Sequence, residues 1–320
     1  MTSDIMIDMT KSLIEICLVD CPLCGDKYKE NLYTNLTDVE SGISGVYTIS
    51  RCLRCDLVYL SQRPSQKSLP NLYPQDYHAR VENREAVLPR ILYEQKYGFE
   101  FRRIQKILRR IPKSLIDIGC GSGGMLLQMK RHWGDRCRLA GVELAQPNTV
   151  DLGKDGIDLY LGKIEDIYPP NQFEVATMYH VLEHVYDPIE VLKTTKKWLN
   201  DDGVMIGEVP DFNSPWRRVF SQYWGGMQIP RHMTFFTATS LEKVLFKAGF
   251  TLSSVRNVYD PGDLAVSVNN LLISNISPRT RPRQSWLYLP LMVISSPISL
   301  IMTKILQFPC TLMFTAVKRT

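Results

Sequence analysis

The sequence lacks several features that assign chains to common classes of protein. Its N-terminus, MTSDIMIDMTKSLIEI, has two early acids and no uninterrupted apolar core, so we expect no signal peptide. It has no basic stripe interleaved with aromatic residues, and the net charge of +5 is modest, which argues against nucleic acid as a partner. Eight cysteines in a chain without an export signal are typical of thiols or metal ligands, not of disulfides.

Length and composition predict a chain that folds around a sizeable core. The chain has 320 residues, of which 44% are hydrophobic and 22% are charged. A length of this kind favours two domains. We therefore expect more than one structural unit and, because we expect no signal peptide, a cytoplasmic protein.

The most informative stretch is LIDIGCGSGGML, at Leu115–Leu126. An apolar run with an acid inside it ends at a glycine, further glycines follow, and a helical pattern begins. Such a stretch predicts a buried strand, a tight turn and a helix start, where glycines let a ligand approach the backbone. An ordinary strand-to-helix turn is the alternative, but four glycines in six residues favour a nucleotide-like ligand.

The glycine spacing alone does not identify that ligand. A phosphate-binding loop needs Lys-Ser/Thr after its last glycine, and Met125-Leu126 stand there instead. Gly119, Gly121 and Gly124 fit the dinucleotide spacing, so NAD stays open. Glu143 ends the next apolar run, about 20 residues on, where an acid accepts hydrogen bonds from the ribose hydroxyls of either cofactor.

The run DIGCGSG, at Asp117–Gly123, resembles the first motif of the class I S-adenosylmethionine-dependent methyltransferases. The resemblance implies S-adenosyl-L-methionine as cofactor, with the strand acid ordering the turn and the glycines passing under the methionine part. It also implies that an acid and its neighbour after the third strand meet the adenine, although a solvated loop charge explains that acid equally simply. The implied cofactor-binding residues are Asp117, Gly119, Cys120, Gly121, Gly123, Glu143, Ile164, Glu165, Tyr179 and His180.

Strands and helices alternate through residues 113–275, which predicts a doubly wound, Rossmann-like α/β sheet. Connections of this kind place the ligand at the carboxyl ends of the strands. A helix is predicted before the sheet, at residues 84–110. The family's usual last hairpin is expected from Asp263–Ile273, although the turn residues Asp260–Gly262 interrupt it.

Two C-x-x-C pairs near the N-terminus predict a zinc site. Cys21 and Cys24 form the first pair, and Cys52 and Cys55 follow after 27 intervening residues. Two such knuckles supply the four thiolates of a structural Zn2+ site, which leaves no open coordination position. Unligated thiols or two redox pairs are the alternatives. With the stretch LYPQDY downstream, the module resembles bacterial methyltransferases that carry an N-terminal zinc-binding module, many of which act on sugars or surface glycans.

Tyr73 and Tyr77, in that stretch, are candidates to reach the substrate pocket or to pack on the next domain. The stretch YHVLEHVYDP, at Tyr179–Pro188, resembles the family motif after the fourth strand. Ubiquinone-pathway O-methyltransferases and small-RNA 2′-O-methyltransferases use a related E-x-x-E-H with a distant His to hold a divalent ion. This chain has His180 where they have Glu, so a catalytic metal is only an alternative here.

The segment Asn213–Thr237 is a long insertion whose aromatic residues and glycines predict a lid. His232 within it is the best candidate for a general base, because histidine titrates near working pH. The alternative is that His232 only orders the lid by hydrogen bonding. We expect O-methylation with His232 or His184 as the base.

The last segment, 284–318, is strongly apolar, with 18 uncharged residues at Trp286–Thr303. Pro290, Pro297 and Pro309 interrupt it, and basic residues flank both sides, which favours a cytosolic location for both flanks. We expect a re-entrant hairpin or an in-plane anchor. A single span and a helix pair packed on the domain are the alternatives.

The sequence therefore predicts an S-adenosylmethionine-dependent methyltransferase that O-methylates a glycan, nucleotide-sugar or lipid-linked acceptor on the cytosolic face of a membrane. The rival functions are an NAD-type oxidoreductase and a non-catalytic zinc-ribbon adaptor. The oligomeric state stays open. The predicted units are a lead-in at 1–20, a zinc ribbon at 21–60, a linker and helix at 61–112, the methyltransferase domain at 113–275 and an apolar membrane-associating tail at 284–318.

Overall fold

The computed structural model describes residues 14–73, 87–145, 151–258, 260–276, 288–305, 308 and 310–319. Tyr77 and most of the predicted lead-in lie outside the described residues, as do the basic residues that precede the predicted tail. The described residues form two β-sheets joined by shared hydrophobic packing.

The smaller sheet is antiparallel and carries the C-x-x-C pairs. Its strand order is β1-β4-β3-β2, and a fifth strand, β10, pairs with β4 from far downstream. A short helix, α1 (Leu69–Leu72), follows this sheet in the chain. The strands are β1 (Ile16–Leu18), β2 (Lys29–Leu36), β3 (Tyr47–Cys52), β4 (Val58–Pro64) and β10 (Thr234–Phe235).

The larger sheet has seven strands in the order β11-β12-β9-β8-β5-β6-β7. The pairs from β7 to β9 are parallel, and β12 runs antiparallel to both of its neighbours. The strands are β5 (Ser114–Ile118), β6 (Arg138–Glu143), β7 (Asp158–Leu161), β8 (Phe173–Tyr179), β9 (Leu199–Pro210), β11 (Phe250–Val258) and β12 (Thr311–Lys318).

Helices connect the strands and begin where the sequence supplies caps. The Asp187 carboxylate accepts from two N–H groups of the first turn of α4, and Thr237 and Ser240 form a reciprocal capping box on α6. The helices are α2 (Val87–Leu108), α3 (Gly124–Trp133), α4 (Pro188–Trp198), α5 (Pro215–Phe220), α6 (Ala238–Lys247), α7 (Pro261–Ile276) and α8 (Tyr288–Lys304). The predicted Rossmann-like α/β sheet and the helix before it are therefore confirmed.

The expected last hairpin is wrong. Residues 263–273 belong to helix α7, and the partner of β11 is β12, which lies inside the segment expected to be an apolar tail. Strand β12 is inserted between β9 and β11, and a strand buried in this way reads as a continuous apolar run. Helices α7 and α8 form a helical hairpin inserted between the last two strands of the sheet. Among the described residues, none of the helices is long and apolar enough to cross a membrane.

The cysteine-bearing sheet is not a separate body. Its Leu57 and Tyr59 belong to the same buried cluster as Leu241 and Phe250 of the large domain. Lys243 Nζ on α6 donates to the carbonyl of Cys55 at 2.9 Å, and Lys247 Nζ donates to the carbonyl of Leu23. Both C-x-x-C turns therefore rest on helix α6.

The position of β12 generates the first prediction. Phe314 is fully buried, and its ring covers Gly207 of β9, where an added Cβ would approach the ring to 2.5 Å. We expect Phe314→Ala to lower the free energy of unfolding by about 3–5 kcal/mol, because it leaves a cavity in the sheet packing. Denaturant titration measures this loss. Ile294→Ala, at an exposed apolar position of α8, is the control and is expected to change stability by less than about 0.5 kcal/mol. Equal, small effects of both substitutions would show that β12 is not a sheet strand.

Candidate active site

The turn between β5 and α3 has the backbone that its glycines predict. Gly119, Gly121 and Gly123 have φ values of 69°, 56° and 76°, a left-handed region that other residues adopt only with strain. The N–H groups of Gly119 and Cys120 both donate to the carbonyl of Val142, at 2.8 and 3.0 Å, which ties the turn to the end of β6. A Cβ at Gly119 would collide with the side chain of Val181, so the turn also contacts the segment after β8.

The carboxylate at the end of β6 faces this turn. Glu143 Oε2 accepts from the N–H of Gly121 at 2.8 Å, and Oε1 accepts from the N–H of Leu144 at 2.8 Å. The side chain is buried at the carboxyl edge of the sheet. A carboxylate in this place suits a pair of ribose hydroxyls, which donate hydrogen bonds. The turn and Glu143 together fit an adenosine cofactor.

The buried strand acid is held by the neighbouring strand. The Thr177 hydroxyl of β8 donates to Asp117 Oδ1 at 2.6 Å, and burial raises the pKa of Asp117 to about 7. This bond fastens β5 to β8 just below the turn. Cys120 is buried beside Gly141, and burial raises the pKa of its thiol, so it is a packing residue and not a nucleophile.

The remaining cofactor candidates lie at the carboxyl ends of neighbouring strands. Ile164 and Glu165 occupy a short 3₁₀ turn, Ile164–Asp166, after β7, and both are half-buried. Tyr179 ends β8, and His180 follows it with a φ of 53°. The structure thus brings the predicted cofactor residues to one edge of the sheet.

His180 links two buried acids. Its Nδ1 is 3.3 Å from Glu183 Oε1 and its Nε2 is 4.0 Å from Glu208 Oε2. Burial lowers the pKa of His180, but the hydrogen bond and the charge of Glu183 outweigh it, so the pKa is raised. Arg103 of α2 forms an ion pair with Glu208 at 2.8 Å, and burial nevertheless raises the pKa of Glu208 to about 7.

Two histidines meet beyond the cofactor turn. The rings of His184 and His232 are edge to face, with their centroids 4.5 Å apart. Burial lowers the pKa of His184 to about 4 and of His232 to about 3, so both imidazoles are neutral at pH 7. His232 Nδ1 lies 2.9 Å from the carbonyl of Gly226, which assigns the proton to Nδ1 and leaves a lone pair on Nε2.

A buried carboxylate completes this group. Ligand atoms of Glu183, His184 and His232 all lie within 4.8 Å of one another. Glu183 Oε2 is buried with no hydrogen-bond partner in the part of the chain that the structure describes. Such a group can accept protons or hold a divalent ion through two imidazoles and one carboxylate.

The four cysteines of the small sheet also converge. Sγ of Cys21 is 3.5 Å from that of Cys55, Sγ of Cys24 is 3.4 Å from that of Cys52, and all four lie within 4.8 Å. A zinc ion with four thiolates at about 2.3 Å has S–S edges of about 3.8 Å, so the set fits a tetrahedral site. The two turns are alike, because Gly25 and Asp56 both have positive φ and donate to the carbonyl of the first cysteine.

Comparison with known proteins identifies the family. The methyltransferase domain family matches residues 94–255, just over half of the chain. The chain belongs to this family. It is an S-adenosylmethionine-dependent methyltransferase, and the alternative of an NAD-type oxidoreductase is set aside.

Individual relatives cover less of the chain. The mitochondrial ubiquinone biosynthesis O-methyltransferase of Candida albicans is 31% identical to the methyltransferase over 113 residues, which are 32% of this chain and 34% of that protein. The ubiquinone biosynthesis O-methyltransferase of Actinobacillus pleuropneumoniae serotype 5b is also 31% identical over 113 residues, 32% of this chain and 47% of its own length. The chain therefore spans between a third and half of the length of these relatives.

A solved structure agrees on the fold alone. The 1,6-didemethyltoxoflavin-N1-methyltransferase of Burkholderia thailandensis, crystallised with 1,6-didemethyltoxoflavin and S-adenosylhomocysteine, superimposes with a TM-score of 0.51 at 13% identity. The match covers 84% of this chain and 99% of that one.

Some residues of the site were not predicted as such. Thr177 holds Asp117, and Arg103 pairs with Glu208. No local pattern distinguishes Arg103 from the other arginines of α2. Tyr73, by contrast, was a candidate for the substrate pocket, and its hydroxyl lies 3.0 Å from His184 Nδ1. Glu183 belonged to the L-E-H motif but was not expected to join both histidines.

Glu143 generates the second prediction. We expect Glu143→Ala to weaken binding of S-adenosylhomocysteine by about 10- to 100-fold, because a hydrogen bond to a charged group contributes about 1.5–3 kcal/mol. Isothermal titration calorimetry measures the affinity. Glu174→Ala is the matched control, since Glu174 lies at the opposite end of β8, where it pairs with Arg110 at 2.7 Å. Identical affinities of the two variants would remove Glu143 from the cofactor site.

Proposed function

We propose that this methyltransferase transfers the methyl group of S-adenosylmethionine to a hydroxyl of a small acceptor, with His232 or His184 removing the acceptor proton. The observation that carries the proposal is the buried group of Glu183, His184 and His232 beside the cofactor turn. Val181 contacts Gly119, and Glu183 and His184 follow within three residues.

The cofactor, when bound, supplies a methyl group on a cationic sulfur, which leaves without help from an acid. The protein then has to align the acceptor, exclude water and accept one proton. The Gly226 carbonyl holds the His232 ring through Nδ1, so Nε2 is the atom that accepts the proton. Burial holds the pKa of both histidines well below working pH, contrary to the expectation from histidine alone, so the charge of Glu183, close to both rings, has to stabilise the imidazolium that forms.

The acceptor class rests on likeness and not on a contact. The relatives named above carry O-methyltransferase in their names, which supports oxygen as the nucleophile. The resemblance to methyltransferases with an N-terminal cysteine module supports a glycan, nucleotide-sugar or lipid-linked acceptor at a membrane. The proposed cofactor-binding residues are the candidates described above at the carboxyl ends of β5, β6, β7 and β8.

The proposal is tested with S-adenosylmethionine that carries a labelled methyl group. The protein is incubated with aqueous nucleotide-sugar fractions and with organic glycolipid fractions, and mass spectrometry locates a product in which the labelled methyl group has replaced one hydrogen. Label that appears on nitrogen or carbon would contradict O-methylation.

The same assay gives the third prediction. We expect His232→Ala or His184→Ala to lower kcat by about 10²- to 10⁴-fold, the usual contribution of a general base, with S-adenosylhomocysteine binding kept. His132→Ala, at an exposed histidine of α3, is the control. Near-normal kcat in both variants would refute the base. Loss of activity in EDTA that magnesium alone restores would show that the three side chains hold a divalent ion instead, because zinc would also refill the four-cysteine site.

We propose further that Cys21, Cys24, Cys52 and Cys55 bind one structural Zn2+. As the fourth prediction, Cys24→Ser is expected to abolish zinc binding and to lower Tm, because zinc binding contributes folding energy. Metal analysis and thermal melting measure both effects. Cys17→Ser, at a cysteine outside the cluster, is expected to retain zinc. Absence of zinc from the purified protein, with an unchanged Tm for Cys24→Ser, would contradict the site.

A further inference from the structure

The hairpin of α7 and α8 has an unusual distribution of polar and apolar side chains. Its inner face buries polar residues together with Ala265 and Val266, whereas its outer face exposes large apolar ones. The buried polar residues are Ser267, Asn269, Asn270, Ser295 and Ser299. The exposed apolar residues are Leu271, Leu272, Val293, Ile294, Ile298, Leu300, Ile301 and Ile305.

The exposed apolar residues of α8 form a stripe along the helix. Ile294, Ile298, Ile301 and Ile305 recur at three- and four-residue spacing, and Val293 and Leu300 lie next to them in sequence. Val293 and Ile294 are 74% and 63% exposed. Monomeric proteins in water rarely expose a contiguous apolar surface of this kind, and such surfaces mark interaction sites.

We propose that this stripe docks the methyltransferase in the plane of an anionic lipid surface. The inference rests on the proposed function, in which the acceptor is at a membrane, and it names the part of the protein that binds that membrane. An apolar helix face with basic residues near it in the sequence is typical of interfacial helices that bind lipid.

The sequence after Asp263 carries only positive charges, which favours an anionic lipid. No Asp or Glu follows Asp263 in the sequence, and residues 277–287, between the two helices, contain Arg279, Arg281 and Arg283. Basic residues next to an apolar face are attracted to the negative potential of anionic lipids. A second copy of this chain fits less well, because it would carry the same sequence without acids and so offer no charge complementary to the arginines.

The docking surface is connected to the active site. The N–H of Gly225 donates to the Ser267 hydroxyl at 2.8 Å, and Asn270 Nδ2 donates to the carbonyl of Tyr223 at 3.2 Å. The carbonyl of Gly226, the residue after Gly225, accepts the hydrogen bond from His232. The hairpin therefore contacts the segment Asn213–Thr237, the predicted lid, which carries the proposed base.

The test is co-sedimentation of the full-length protein with vesicles of phosphatidylcholine, with and without phosphatidylglycerol. We expect binding to the vesicles that contain phosphatidylglycerol and weaker binding at high salt. Ile294→Glu is expected to lower the partition coefficient by about tenfold or more, because it puts a charge in the apolar stripe. Phe246→Glu on α6 is the matched control, since it makes a similar change at a side chain of similar exposure, 59% against 63%.

Two results would overturn the proposal. One is the absence of wild-type binding to anionic vesicles, and the other is equal binding by Ile294→Glu and Phe246→Glu. A change of oligomeric state on gel filtration in Ile294→Glu, without vesicle binding by the wild type, would assign the stripe to a contact between copies. Binding of S-adenosylhomocysteine, expected to be unchanged in both variants, confirms that they fold. Vesicle binding does not depend on turnover, so failure of O-methylation in the label assay is recognised separately.

Discussion

The peptide groups of Met233 join the two sheets of this molecule. The N–H of Met233 donates to the carbonyl of Glu183 at 2.7 Å, and its carbonyl accepts from the N–H of Leu60 at 2.9 Å. Glu183 follows β8 of the large sheet, and Leu60 lies in β4 of the small one. Because buried peptide groups are costly to leave unpaired, the backbone next to His232 is fixed by both sheets at once.

This constraint explains how a four-cysteine module contributes to a methyltransferase. Strand β10 continues directly from Met233 and pairs with β4, while Lys243 and Lys247 hold the cysteine turns from α6. The small sheet packs Tyr59 into the core of the large domain, and it packs Ile49 and Leu60 against Trp224 and Met233 of the segment 213–237. A zinc ion that orders the cysteine turns would therefore also stabilise the segment 213–237 and its His232.

Local patterns predicted the backbone of the stretch 115–126 well, because its strand, turn and helix start lie within a dozen residues. Strand β12 was not predictable in this way. It pairs with β9 through contacts such as Leu312 with Val209, far apart in sequence, and its apolar run TLMFTAVK reads the same for a buried strand and for a lipid-bound segment. Only the pairing partners distinguish the two. For the same reason, the sequence offered Tyr73, His184 and His232 as separate candidates but did not predict the contacts that bring them together.

The predicted tail contains strand β12, and this explains how the hairpin of α7 and α8 can expose apolar side chains. The hairpin leaves the sheet at β11 and returns at β12, which are adjacent antiparallel strands, so it adds no strand and alters no pairing. An insertion at such a point can expose apolar side chains without disrupting the sheet, because β12 pairs with both β9 and β11. Its inner face meets the lid through Ser267 and Asn270, which need polar partners there. The inner face is polar because it forms hydrogen bonds with the backbone of the segment 213–237. The apolar outer face is the one proposed to bind lipid.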